Sequence, residues 1–176
     1  LDDGGMRQGE WIRVWPSGTL YYKGQFKDDN PVGEFTFFYE SGTVMTELNH
    51  ANRGKRMFAR HFREGGSLRA EGTYLESPLL ASTGEPTRVK NGEWHFYDDG
   101  GTLRLKETYS YGELAGTTTS FHVNGSIVEQ GAYSDDERDG TWKTFSETGQ
   151  LLTEFNYSGG MFHGMMRSFY PTGRPN

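Results

Sequence analysis

Residues 140–163 read Gly140-Thr141-Trp142-Lys143-Thr144-Phe145-Ser146-Glu147-Thr148-Gly149-Gln150-Leu151-Leu152-Thr153-Glu154-Phe155-Asn156-Tyr157-Ser158-Gly159-Gly160-Met161-Phe162-His163, and Gly164 begins the same pattern again. Glycine, a large residue two positions on, an aromatic at offset 5, glycine at 9, leucine at 11 and tyrosine at 17 form a signature that recurs upstream. The glycine starts fall at 9, 33, 92, 116, 140 and 164. Successive starts lie 24 residues apart, except that 59 residues separate 33 from 92. A degenerate copy beginning at Met57, with Ala59 in the large-residue slot and about 11 extra residues, fills that gap. A fixed period of this length marks a repeat architecture.

The columns have physical readings. Offset 5 holds Val14, Phe38, Phe62, Tyr97, Phe121, Phe145 and Phe169, and offset 11 holds Leu20, Val44, Leu68, Leu103, Ile127 and Leu151. These slots flank a turn whose glycine (Gly18, Gly42, Gly66, Gly101, Gly125, Gly149, Gly173) can adopt positive φ, so they are expected to meet across a hairpin. Offset 17 (Phe26, His50, Tyr74, Tyr109, Tyr133, Tyr157) closes the second strand. Polar residues such as Asp28-Asp29 and Ser134-Asp135-Asp136 turn the chain into the next copy. The expectation is all-β: an elongated, twisted antiparallel sheet of tandem hairpins. About thirteen strands would form a single array over residues 1–176, with offset 5 as its core ladder. Residues 75–89, with Pro78 and Pro86, are expected to protrude as a loop carrying Leu79 and Leu80.

Trp11, Trp94, Trp142, Tyr97, Phe145 and Asn124-Gly125 carry a resemblance to the MORN repeat, in particular the variant repeats of YwqK-type bacterial antitoxins. The resemblance spans about residues 2 to 176; Met57, Ala59 and Thr118 depart from the motif. It implies a hairpin array used for protein contacts and a toxin as the partner in some relatives. It carries over no catalytic residues.

Composition narrows the function classes. The chain has 24 acidic and 18 basic residues, a net charge of -6 and no concentrated basic patch, which disfavours nucleic-acid and anionic-membrane binding. It has no cysteine, so disulfides and thiolate metal sites are excluded. That absence is compatible with an exported protein but does not decide the compartment; an exported or periplasmic location is slightly favoured over a cytoplasmic one. No P-loop, nucleophile elbow or His-Glu-x-x-His motif occurs, the five histidines form no column, and the turn acids are read as solvated. A non-catalytic protein without cofactor or metal is expected.

One asymmetry points to a binding face. Trp15 and Tyr39 follow the core slot by one and are expected to face outward, and Tyr21, Tyr22 and Phe37 enrich the same half. The slot after the core holds Arg63, Asp98, His122 and Ser146 in the following copies. Trp15, Tyr21, Tyr22, Phe37 and Tyr39, with Leu79 and Leu80, are therefore the candidate partner-binding residues. The expected partner is a protein, with a basic toxin as the specific form. The alternatives are an exported scaffold that associates through edge strands and an accessory repeat region of a larger enzyme. Asp3–Gly9 aligns with Ser158–Gly164, so residues 1–8 read as the tail of an earlier repeat in a longer precursor.

Overall fold

The computed structural model describes every residue except 52–54, 81–85, 171 and 173; the side chains of 78–80 and 86 are also outside the description. Among the described residues there is no helix. Antiparallel strands pair in chain order from the first to the thirteenth of one sheet, and a fourteenth pairs with the twelfth.

The chain forms two compact units. The first comprises residues 1–90 and 99–101, the second residues 91–98 and 102–176. The first holds β1 (Gly9–Val14), β2 (Leu20–Lys27), β3 (Asn30–Phe38), β4 (Val44–Ala51), β5 (Arg56–Phe62), β6 (Leu68–Leu80) and the start of β7 (Pro86–Tyr97). The second holds the end of β7, then β8 (Leu103–Ser110), β9 (Glu113–Phe121), β10 (Ile127–Ser134), β11 (Glu137–Phe145) and β12 (Leu151–Ser158). Two short strands, β13 (Met161–Phe162) and β14 (Arg167–Ser168), complete it. The segment expected to loop out at 75–89 is strand as far as Leu80 and again from Pro86. The cause is continued pairing: Leu75 lies opposite Arg56, and the Glu76 amide donates to the Lys55 carbonyl.

Offsets 5 and 11 do pair: Val14 with Leu20, Phe38 with Val44, Phe62 with Leu68, Tyr97 with Leu103 and Phe145 with Leu151. The turn glycines between them have φ of +81° to +88° (Gly18, Gly42, Gly66, Gly101, Gly125, Gly149). Immediately beside each pair the register shifts by one residue. Tyr21, Met45, Arg69, Arg104 and Leu152 are the extra residues. Such a bulge re-aims side chains.

The core is not where the column pattern suggested. Offset 5 is half-buried, and Val14 is exposed. The buried ladder is offset 2, with Phe35, Ala59, Trp94, Thr118 and Trp142. These residues face offset 15 of the preceding copy in complementary sizes. A Cβ on Gly24 would stand 2.2 Å from the Phe35 ring, and one on Gly131 2.2 Å from the Trp142 ring. Where offset 2 is the small Ala59, offset 15 is Leu48, directly opposite. The start glycines Gly33 and Gly140, at φ +64° and +70°, sit where β2–β3 and β10–β11 shift register, opposite Gly24 and Gly131. A glycine in the left-handed region is what one class of bulge requires. At Met57 no glycine is available, and β4–β5 pairs without a shift. Met57, Ala59 and Leu48 are one coordinated departure.

The inter-repeat turns also interlock. Asp28-Asp29 and Asp135-Asp136 have positive φ at both positions, as a two-residue type I′ turn demands. The Asp29 and Asp136 amides donate to the carbonyls of Arg7 and Leu114, and their carboxylates accept from the amides of those same residues. These acids are structural as well as solvated, and the Arg7 guanidinium holds the Asp29 carboxyl below the usual carboxylate range.

Candidate functional site

The first unit contains a cavity of about 780 Å³. Its apolar wall comes from β2, β3 and β4: Tyr22, Phe26, Phe35, Phe37 and Leu48, closed by Met57 of β5. The rings form a connected cluster. Phe26 meets Phe35 edge-on at 5.2 Å, and Tyr22 lies 5.6 Å from Phe37. Phe35 stacks on Phe37 at 6.4 Å and meets the His50 imidazole at 5.0 Å. These residues converge because alternate side chains of paired strands share a face.

Charged groups stand at the margin: Arg7, Asp29, Lys55, Glu76 and Arg88. Arg7 is committed, with Nε 2.9 Å from the Asp29 carboxylate and its guanidinium 4.0 Å above the Phe26 ring. Lys55, Glu76 and Arg88 enter no ion pair among the described residues. His50 is 7% exposed, and its Nδ1 is buried without a hydrogen-bond partner among the described residues. Burial, and then the positive charge of Arg88, push its pKa down to about 4, so the ring is neutral near pH 7. His61 contrasts with it: Nδ1 lies 3.0 Å from the Thr46 hydroxyl and Nε2 3.3 Å from the Tyr74 hydroxyl.

In the second unit, the comparable recess between Leu105, Thr118, Tyr133 and Trp142 is only about 100 Å³. Trp142 is buried there, its Nε1 donating to the Ala132 carbonyl and the Arg138 guanidinium 3.7 Å over its ring. Arg138 is in turn held by Glu129 at 3.0 Å. Other side chains of this unit form a polar ladder, with Lys106 near Glu93 (3.9 Å) and Glu154 between Lys143 (3.6 Å) and Arg167 (3.2 Å).

The structure divides the sequence-derived candidates. Tyr22 and Phe37 line the cavity. Trp15 and the bulged Tyr21 pack on each other at 4.5 Å, and Tyr21 reaches Phe37 at 6.0 Å. All five aromatic candidates are half-buried rather than an open strip. Trp15 and Tyr39 are clasps: the indole Nε1 donates to the Phe38 carbonyl (3.1 Å) and the Tyr39 hydroxyl to that of Phe62 (2.8 Å), each in the next copy. The bulged Arg104 does the same for Phe121 at 2.9 Å. The side chains of Leu79 and Leu80 lie outside the described residues. Sequence reasoning missed Arg7, Phe26, Phe35, His50, Lys55, Met57 and Arg88. The available signal was His50, a lone histidine in a column otherwise Phe or Tyr.

The fold and this cavity define a tandem β-hairpin repeat protein with an aromatic recess in its first unit. The family described as MORN repeat variant matches residues 7–28, 31–52 and 138–158. Among curated proteins none matches. A solved structure of a Bacteroides fragilis protein of unknown function is 8% identical, covers 97% of each chain and has a TM-score of 0.18.

Proposed function

We propose that this protein is a non-catalytic interaction module that binds a protein partner through the aromatic recess of its first unit. The observation that carries this reading is the wall of Tyr22, Phe26, Phe35 and Phe37 around an open cavity, while the second unit fills its corresponding recess with Trp142. Aromatic anchors in a rim of charge are the composition of an interface core. The matched repeat variant supports protein contact in general. The finer reading is an antitoxin-like role against a basic toxin. The net charge of -6 would attract such a partner.

The test is capture with the full chain as bait, alongside Phe37→Glu in the recess and Thr141→Glu on an exposed position of β11. A partner retained by wild type and Thr141→Glu but lost by Phe37→Glu supports the reading. A partner that binds Phe37→Glu equally well removes the recess from the interface. Self-association is a second reading, favoured by the exposed Met161, Phe162, Met165 and Met166 of the second unit. Sedimentation showing only monomer at high concentration would eliminate it.

A further inference from the structure

We infer that the His50 recess is a binding site for an aromatic or apolar group that carries a carboxylate. The wall, the buried imidazole and the margin each specify part of that ligand. The cavity volume of about 780 Å³ lies within the range of small-ligand sites, which are mostly apolar with a few placed polar groups. Phe26, Phe35, Phe37 and Tyr22 offer ring faces and edges to a flat apolar body.

His50 supplies the placed polar group. A buried nitrogen with no partner carries a desolvation penalty that a ligand can relieve. His50 is more than nine-tenths buried, lines the cavity and bonds to no described protein group through Nδ1. Nδ1 is itself enclosed in the unliganded chain; a rotation of the ring that brings it to the cavity lets the neutral imidazole, protonated there, donate one hydrogen bond to a carboxylate oxygen. The margin sets the sign. Asp29 neutralises Arg7, which leaves Lys55 and Arg88 against Glu76 and so an excess of one positive charge. A carboxylate seated between His50 and Arg88 meets a hydrogen bond on one side and a cation on the other, and charge-assisted bonds of this kind are the stronger class.

The carboxylate can belong to a free aromatic acid or to the aromatic C-terminal end of a partner segment. This site deepens the interaction reading and rests on the same recess. Its test uses isolated ligands, so partner capture and ligand binding can fail separately. The full chain is titrated with 3-phenylpropionate, with 3-phenylpropionamide, and with an acetylated pentapeptide ending in a free-carboxylate phenylalanine, followed by amide and imidazole NMR shifts. The expected result is saturable binding of an acid that moves His50, Phe35 and Met57, with the amide roughly tenfold weaker or worse. Arg88→Gln, at an exposed position, should erase the preference for acid over amide without altering the fold. His50→Gln should weaken the acid, with unchanged shifts elsewhere reporting an intact sheet. Binding of the small acid assigns a free ligand; binding of the peptide alone assigns a partner segment. Equal binding of acid and amide, shifts outside the recess, or no binding of acid or peptide at millimolar concentration overturns the proposal.

Discussion

At the scale of single residues, His50 and Gly131 show how position overrides residue type. His50 has an ordinary pKa near 6.5 when unfolded and about 4 when folded, because burial and Arg88 disfavour its cation. Between those values the unfolded chain binds a proton that the folded chain refuses, so stability rises with pH across the interval. The contribution is complete above about pH 6.5, falls as the pH drops towards 4, and amounts to roughly 3 kcal/mol. Burial also lowers the pKa of His61, which acts in the same direction. Urea denaturation of wild type and His50→Gln from pH 7.5 to 4.5 should show a flatter profile for the variant; parallel profiles would refute the assignment. Gly131 is constrained by space alone, since a Cβ would lie 2.2 Å from the Trp142 ring. Gly131→Ala should destabilise by about 1–3 kcal/mol, the range for overpacking a tight site. Combining it with Trp142→Leu should yield less than the sum of the two single losses, measured as a double-mutant cycle.

At the scale of the hairpin, the period and the pairing of offsets 5 and 11 were legible because turn glycines and apolar residues recur in register. The buried column was not. Both offset 2 and offset 5 are apolar in most copies, and because they lie three positions apart on one strand they face opposite sides of the sheet, so residue type alone did not tell which side is covered. The expectation that Trp15 and Tyr39 face outward failed because their polar tips cap carbonyls of the next copy, and the bulged Tyr21 packs on Trp15. The recess was legible only through Tyr22 and Phe37, because its other members lie in columns that look purely structural. The start glycine has a separate role. Gly140 at φ +70° lies opposite Gly131, where β10–β11 shifts register, whereas Met57 goes with unshifted pairing. Gly140→Ala should therefore destabilise by about 1 kcal/mol or more despite open space around its position, because an L side chain is strained there. Thermal unfolding would check it, and an unchanged midpoint would show that the bulge does not depend on glycine.

At the scale of the whole chain, contacts run between neighbouring strands in sequence order, and residues group into two compact units. In an array of this kind, stability is close to a sum of repeat terms and nearest-neighbour terms, so damage should stay local. Trp142 is 1% exposed, and it packs on Tyr133 at 5.1 Å and Tyr157 at 6.3 Å, all within the second unit. Trp142→Ala removes a side chain whose loss from a core typically costs about 3–5 kcal/mol. Native-state hydrogen exchange should register that loss in the amides of β10, β11 and β12. Protection in β2, β3 and β4, which build the His50 recess, should stay near the wild-type value. The reverse experiment, Phe35→Ala, should lower protection in β2–β4 and spare β10–β12. If either substitution lowers protection evenly through both units, the chain unfolds as one cooperative body and the nearest-neighbour account fails. Local loss would mean that the second unit tolerates change without disturbing the recess, leaving the aromatic wall and His50 to be tuned independently.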